Sequence, residues 1–281
     1  MRNNVDRFSA PQPENQNSPA AAVEAQQSAG TFSFAAPTEF VNLPSKGKFY
    51  PEGHVLHNVE TVEIRHMTAK DEDILTSEAL IKKGIVLDRL LQSVLINKTI
   101  DVNDLLIGDK NALLIACRIY GYGPDYSTTI TCPSCLSTQE FVFNINEWQE
   151  KEINLEIKQT PSCTFIVEAP LSKVSIEFGL LNTKGVEAIE KIGERNKKLN
   201  LPSSTATDFL LAIIKSVNGY DDKVSIQNFI NNAPAKDASF IRKSYESINP
   251  DIQSISNFTC DNCGSSEVVE VPLDTSFFWP K

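Results

Sequence analysis

The spacing of apolar and polar positions changes several times along the chain. Over Val59–Met67 apolar and polar side chains alternate, which predicts a strand. Thr68 follows three residues ahead of Asp71, and this pair predicts an N-cap with an acidic first turn. We therefore expect a helix over about Ala69–Lys82.

Two further helices are predicted in the first half of the chain. The Asp109–Tyr120 segment has an apolar face, and the Gly121–Pro124 run that follows should end it. The helix before it has apolar residues three or four positions apart, at Leu87, Leu90, Leu91, Val94 and Leu95.

Strand-like alternation and helical spacing both recur in the second half of the chain. Alternation predicts strands over Ile153–Ile157, Phe165–Val167 and Val174–Phe178. Proline and Asn-Gly turns then separate four predicted helices: Asn182–Leu199, Thr205–Val217, Ser225–Asn232 and Pro234–Ile248.

Two CxxC pairs lie on either side of these strands and helices, and their flanking sequences resemble each other. Each pair follows a strand-forming run and precedes a small polar stretch and an alternating strand. The two halves of a zinc ribbon are built in this way, with four thiolates around one tetrahedral ion. The predicted ligands of a structural zinc ion are Cys132, Cys135, Cys260 and Cys263.

The distance between the two pairs does not forbid a shared ion. Although 124 residues lie between Cys135 and Cys260, each doubling of loop length costs only about 0.6 kcal/mol. Zinc binding in finger peptides contributes on the order of 10–16 kcal/mol. Three alternatives stay open: two local disulfides, zinc shared between chains, or a ribbon that no longer binds metal.

The predicted fold class is α+β, with small β elements and a split zinc-ribbon-like module that carries a helical insertion between its halves. Residues 1–36 contain few large apolar side chains to offset the entropy of ordering, so we expect a disordered tail. The predicted parts are the tail (1–38), a strand-plus-helices region (39–121), the first ribbon half with the following strands (122–178), the helical insertion (179–251), and the second ribbon half with an aromatic C-terminus (252–281).

Composition limits the cellular compartments in which this protein is expected to fold. The chain has 281 residues, 41% of them hydrophobic, which is enough for a sizeable core, and a net charge of −10. It contains no apolar run long enough to span a membrane, and its first residues lack the features of a secretory signal. We expect synthesis in a reducing cytoplasm, where CxxC pairs bind metal. Cys117 and Cys163 are interpreted as ordinary core residues.

The sequence contains no strong catalytic pattern, so we expect no enzymatic activity. It lacks a nucleophile elbow, a phosphate-binding glycine loop and a zinc-protease motif. His54, His57 and His66 are interpreted as surface or partly packed side chains. Residues 122–150 contain four carboxylates and no lysine or arginine, which argues against binding to the phosphates of nucleic acids.

Two aromatic clusters are candidates for partner binding, because an exposed cluster would be costly in a soluble monomer. Each is expected to pack either into this chain's own core or against a neighbouring protein. The candidates are Phe49, Tyr50, Phe277, Phe278 and Trp279.

Several segments together resemble the baseplate hub proteins of T4-type contractile-tailed bacteriophages. The resemblance covers roughly residues 40–281 and is carried by the Leu-Pro-Ser-x-Gly-x-x-Tyr-Pro segment at 43–51, the Met-Thr-Ala-Lys-Asp-Glu-Asp helix start at 67–73, the Ile-Gly-Asp-Lys-Asn segment at 107–111, Arg118 ahead of the first CxxC pair, and Phe-Phe-Trp-Pro at 277–280.

This resemblance implies a structural or assembly role in the baseplate, without catalysis, for a protein assembled in the host cytoplasm and located in the virion tail. The implied partners are other baseplate hub or tail proteins. Two alternatives stay open. One is a chaperone for hub or tape-measure proteins that does not remain in the virion, and the other is a zinc-ribbon adaptor that binds a host protein.

Overall fold

The computed structural model describes residues 35–154, 156–198, 205–271, 273 and 275–278. The predicted tail lies outside the described residues except for its last four positions, and Thr38 already belongs to the first strand. Within the described residues, no helix is both long and apolar enough to cross a bilayer.

Helices and short antiparallel strands are interleaved along the chain. The helices are α1 (Ala69–Thr76), α2 (Glu78–Lys82), α3 (Val86–Val94), α4 (Ile107–Tyr122), α5 (Thr183–Lys198), α6 (Thr205–Ile213), α7 (Lys223–Asn232) and α8 (Ala235–Ile248). The strands are β1 (Thr38–Asn42), β2 (Thr61–Arg65), β3 (Asp125–Thr131), β4 (Thr138–Asn144), β5 (Gln149–Glu150), β6 (Lys158–Gln159), β7 (Thr164–Glu168), β8 (Ser175–Gly179), β9 (Ile214–Val217), β10 (Ile252–Gln253), β11 (Ile255–Thr259) and β12 (Ser266–Glu270). Short 3-10 helices cover Val102–Asp104, Ile145–Glu147 and Thr275–Phe278.

The sheets are small and antiparallel. Strands β6, β7, β8 and β9 form a four-stranded sheet in chain order, and β1 pairs with β2. Strands β3 and β4 form one hairpin, and β11 and β12 form another. Strand β5 pairs with β10, with Gln149 opposite Gln253. Because β5 follows the first hairpin and β10 precedes the second, this pair links the two distant segments that carry the hairpins. The α+β class and the cysteine-bearing hairpins are therefore confirmed.

Two helix predictions need correction. The helix predicted over 69–82 is interrupted at Ser77, whose backbone is extended. The Ser77 N–H donates to the Ile74 carbonyl, while the Ser77 carbonyl accepts from Leu80 and Ile81, so one residue ends α1 and begins α2.

The helix predicted over 205–217 ends at Ile213. Residues Ile214–Val217 instead form β9, which pairs with β8 at the edge of the sheet, with Val217 opposite Ile176. Helical periodicity was wrong here because β-branched residues pack equally well on a sheet. The segment 179–251 is therefore joined to the strands before it, and is not purely helical.

One strand prediction was also wrong. Among the described residues of 153–157 none is in a strand, and β6 begins only at Lys158.

Apolar side chains from both halves of the chain share one large core. Its fully buried members include Leu43, Leu75, Leu90, Ile176, Phe178 and Ile241. The described residues from position 36 onward form one compact unit. The two cysteine hairpins share a smaller apolar cluster formed by Cys132, Phe258 and Cys260.

Candidate metal centre

The first CxxC pair lies in the turn between β3 and β4. The Cys132 N–H donates to the Ser137 carbonyl at 2.8 Å, and the Leu136 N–H donates to the Cys132 carbonyl at 2.9 Å. These bonds fold the turn back around its own cysteines, so that both thiols lie on its inner side.

The second pair forms the same turn between β11 and β12. The Cys260 N–H donates to the Ser265 carbonyl at 2.9 Å, and the Gly264 N–H donates to the Cys260 carbonyl at 2.8 Å. The residue after the second cysteine has a left-handed backbone in both turns, with φ of 60° at Leu136 and 70° at Gly264. Only the second turn has the glycine that this conformation favours.

The four thiols converge on one point. All four Sγ atoms lie within 4.8 Å of one another. The Sγ atoms of Cys132 and Cys263 are 3.8 Å apart, and those of Cys135 and Cys260 are 3.7 Å apart. A tetrahedral zinc ion with Zn–S bonds of about 2.3 Å would separate its sulfurs by about 3.8 Å. The donor set and its spacing therefore fit a divalent ion of zinc's size, and all four cysteines are free thiols in one chain.

Contacts outside the thiols hold the hairpins together. The Ser134 and Ser265 hydroxyls are 3.0 Å apart, and the Asp261 N–H donates to Gln139 Oε1 at 2.9 Å. Below the turns, Phe141 packs edge-on against the buried Phe258. The hairpins thus meet through polar contacts at the tips and apolar contacts at the base.

The surroundings favour thiolates at two of the cysteines. The Ser137 hydroxyl, with the Ser137 backbone and the Asn262 amide, lowers the pKa of Cys135 to about 5. The Ser137 hydroxyl and the Cys263 backbone also lower the pKa of Cys260. Such thiolates are the form that binds metal.

The fourth thiol resists ionisation. The Ser265 backbone acts in the opposite direction, but hydrogen bonds with Cys135, Cys260 and Cys132 raise the pKa of Cys263 to about 12. Four thiolates at this spacing repel one another, and a divalent cation at their centre would remove that penalty. The cluster could therefore bind a metal.

The histidines are not part of this cluster. The His54 Nδ1 accepts from the Leu56 N–H, and its ring stacks on Tyr50. The His57 Nδ1 lies 2.7 Å from the Tyr50 carbonyl, while His66 stacks on Tyr120. Among the described residues, the four cysteines are the group whose arrangement suits a metal.

Four of the five aromatic candidates lie inside the chain's own core. Phe49, Tyr50, Phe277 and Phe278 are all buried, and Trp279 lies outside the described residues. Two outcomes were expected for these aromatics, and the four described ones follow the first: they pack into the chain's own core. A direct contact with a partner would require their release and stays a prediction.

The distinctive segments of the sequence meet around one buried carboxylate. Asp109 of α4 accepts hydrogen bonds from the Ser45 N–H at 3.0 Å, from the Ser45 hydroxyl at 2.7 Å and from the Tyr50 hydroxyl at 2.7 Å. Burial raises the pKa of Asp109. A Cβ at the neighbouring Gly108 would collide with the Pro250 carbonyl. These segments therefore form a structural junction between the loop that joins β1 to β2, helix α4, and the residues that follow α8.

Arg118 joins the C-terminal segment to the first hairpin. Its Nε donates to the Phe277 carbonyl at 3.0 Å, while its Nη atoms donate to the Gly123 carbonyl at 2.7 Å and the Asp125 carbonyl at 2.9 Å. Burial lowers the pKa of this guanidinium. This role of Arg118 was not predictable from the sequence, because its most distant partner is 159 positions away and is a backbone carbonyl.

Comparison with known proteins gives one match. Residues 36–279 match the family described as T4 bacteriophage base plate protein. No curated protein and no solved structure matches the chain. The matched range includes both cysteine hairpins, the Asp109 junction and Arg118. Because the match covers most of its length, the chain belongs to the T4 bacteriophage base plate protein family.

Proposed function

We propose that this protein is a zinc-stabilised structural component of the baseplate hub of a contractile phage tail. The observation that carries the proposal is the convergence of four thiols from two distant hairpins in a chain of the baseplate family. The family supports a structural role in the phage baseplate, with other baseplate proteins as partners.

Zinc at this centre would be structural. Four cysteines would fill a tetrahedral ion's coordination sphere, so no position would be left for a substrate or an activated water molecule. The ion would link β3–β4 to β11–β12, and it would be supported by the hydrogen bonds from Ser137 and Asn262. The protein accordingly acts by binding other proteins, without turnover.

Metal content and mass in solution, measured on the same purified full-length chain, test the zinc proposal. We expect one zinc ion per monomer. Cys135→Ser and Cys263→Ser should each lose the ion and should destabilise the fold by similar amounts of several kcal/mol, because each removes one ligand from the same site. The matched control is Cys163→Ser, which should keep the ion.

Three results would contradict this assignment. They are a metal-free chain of full stability, zinc bound only between two chains, or one harmless ligand substitution beside one that unfolds the protein.

The hub proposal is tested separately by mass spectrometry of purified tails. A fixed number of copies in every baseplate would support a hub component. A chain that is required for assembly but absent from finished tails would instead be an assembly chaperone.

A further inference from the structure

Negative charge is concentrated around the metal centre. Residues 122–150 and 252–271, here called the metal module, contain seven carboxylates, four in the first segment and three in the second. The same segments contain no lysine, arginine or histidine. The whole chain has a net charge of −10, so this module carries most of the imbalance. All seven carboxylate side chains are exposed.

One face of the second hairpin combines this charge with exposed apolar side chains. In the antiparallel register, Ile255 is opposite Glu270 and Asn257 is opposite Val268, so these four side chains lie on the same face. Ile255 is 45% exposed and Val268 is 65% exposed. The other face of the hairpin carries the buried Phe258, so the apolar residues on this face are not needed for the internal core.

A groove beside this face extends to the 3-10 helix at Ile145–Glu147. It has a volume of about 230 Å³, and its lining includes Trp148, Ile255, Val268 and Glu147. The Trp148 Nε1 donates to the Ser256 hydroxyl at 3.1 Å, and the ring stacks on Phe277 at 6.0 Å. The indole is therefore fixed before any partner arrives. Glu147, Trp148, Ile255, Asn257, Val268 and Glu270 are here called the ribbon face.

The chemistry of the ribbon face selects a class of partner. The groove is smaller than a typical small-molecule pocket, which holds about 300–1,000 Å³, but it has room for a protein side chain. A fixed indole beside the Glu147 carboxylate suits a guanidinium or ammonium group with an apolar stem. The surrounding carboxylates would repel nucleic acids. Aromatic anchors with complementary charge are typical of the centres of protein interfaces.

We infer that the ribbon face is the docking surface of this protein for a basic, partly apolar surface of another baseplate protein, with an arginine or lysine side chain entering the groove beside Trp148. This inference rests on the proposed baseplate role and adds the location and the chemistry of the contact.

The test uses tails from a phage whose copy of this gene carries an early stop codon. Purified full-length chain is added to these tails, and the bound fraction is measured by sedimentation. Glu147→Lys/Glu270→Lys should reduce the bound fraction at least tenfold, because like charges would then meet across the contact. The neutral variant Glu147→Gln/Glu270→Gln should bind at an intermediate level and with a weaker dependence on salt.

The matched control is Glu52→Lys/Asp221→Lys, which makes the same charge change at exposed carboxylates outside the metal module. It should bind like the unaltered chain. Metal content and melting temperature show whether each variant is folded. If the Glu147→Lys/Glu270→Lys variant is not folded, the Glu147→Gln/Glu270→Gln variant decides the result.

The outcomes separate the two proposals. Failure of the unaltered chain to bind the tails would remove the baseplate role, and the ribbon-face contact with it. Binding by the unaltered chain together with equal binding by the ribbon-face variants would overturn the docking surface alone.

Discussion

Leu136 and Gly264 occupy the same position in the two cysteine turns, but only one of them suits its backbone. Both have a left-handed conformation. A side chain in this region costs about 1–2 kcal/mol relative to its right-handed alternative, and Leu136 is 76% exposed, so little packing offsets this cost. The first turn therefore holds a strained residue where the second does not.

Leu136→Gly should raise the free energy of unfolding by about 0.5–1 kcal/mol, because relief of strain exceeds the greater freedom of glycine in the unfolded chain. Denaturant unfolding of the metal-loaded chain measures this change. Gly264→Ala is the mirror control and should cost about 1 kcal/mol, since its new Cβ meets no atom within 4 Å and only the backbone is strained. A destabilised Leu136→Gly variant would mean that the leucine side chain makes a stabilising contact.

Asp71 contributes stability through its charge. It pairs with Arg65 at 2.6 Å and accepts hydrogen bonds from the Ser93 hydroxyl and from Thr68. Although burial acts in the opposite direction, the bonds from Arg65, Ser93 and Thr68 hold the pKa of Asp71 well below its usual value. The carboxylate therefore stabilises the fold at pH values above its unfolded pKa, near 4, and this contribution is lost as the pH falls further.

Asp71→Asn should cost about 3 kcal/mol at pH 7, because it leaves the Arg65 guanidinium without its charged partner. The difference from the unaltered chain should shrink as the pH falls below about 4. Urea unfolding at several pH values checks both effects. Glu78→Gln, in an exposed pair with Lys82, is the control and should change stability by no more than about 0.5 kcal/mol. A pH-independent difference would show that packing, not charge, explains the loss.

Single residues differed in how far the sequence could predict them. The four cysteines were identifiable because the CxxC spacing is local and repeated. The pairing of Thr68 with Asp71 was predictable for the same reason. Asp109 was not identifiable, because its partners Ser45 and Tyr50 lie 64 and 59 positions away and follow no repeating pattern.

At the scale of elements, the local sequence pattern was sufficient to predict a helix that buries one face. It was insufficient where the chain passes from a helix into a strand that pairs with a distant segment. Helix α4 was predicted nearly to its ends, because a Gly-Pro run follows its apolar face. The change from α6 to β9 was missed because Ile214–Val217 suits either structure locally. Only pairing with β8 decides the outcome, and a single sequence does not show that contact.

The segment Thr275–Phe278 should depend on Arg118 for its attachment to the first hairpin. Arg118→Met should cost at least about 3 kcal/mol, because three carbonyl groups lose charged hydrogen-bond donors. It should also raise amide hydrogen exchange in this segment and at Gly123–Asp125.

Thermal unfolding and hydrogen exchange check the two effects of Arg118→Met. The exposed Arg89 gives the control, Arg89→Met, which should change stability by less than about 0.5 kcal/mol. Unchanged exchange at the C-terminal segment would mean that aromatic packing alone holds it.

For the whole molecule, the sequence predicted the fold class and the convergence of the hairpins, but not how the chain joins them. The β5–β10 pair adds a second link beside the cysteines, and β9 ties the intervening segment to the sheet. These are two- and four-residue strands, too short for alternation to be recognised. The metal is therefore predicted to reinforce a fold that already has backbone links.

Removal of the metal with a chelator should lower the melting temperature of the whole unit formed by the described residues from position 36 onward, since the bound ion stabilises only the folded state. Added zinc should restore the original melting temperature, whereas added magnesium should not, because it prefers oxygen ligands. Calorimetry with parallel metal analysis makes this comparison. A chelated, metal-free chain with an unchanged melting temperature would exclude a stabilising metal.

If the chain lies in a contractile tail, as proposed, the convergence of the two cysteine turns also has a consequence for mechanical load. With an ion bound, tension applied between the two hairpins would be shared by four metal–sulfur bonds and the neighbouring β5–β10 pair. Most of the 124 residues between Cys135 and Cys260 would then form a closed loop outside the path of the force. A pull during contraction would strain the metal–thiolate bonds before it could extend that loop, so the ion would act as a short mechanical bridge.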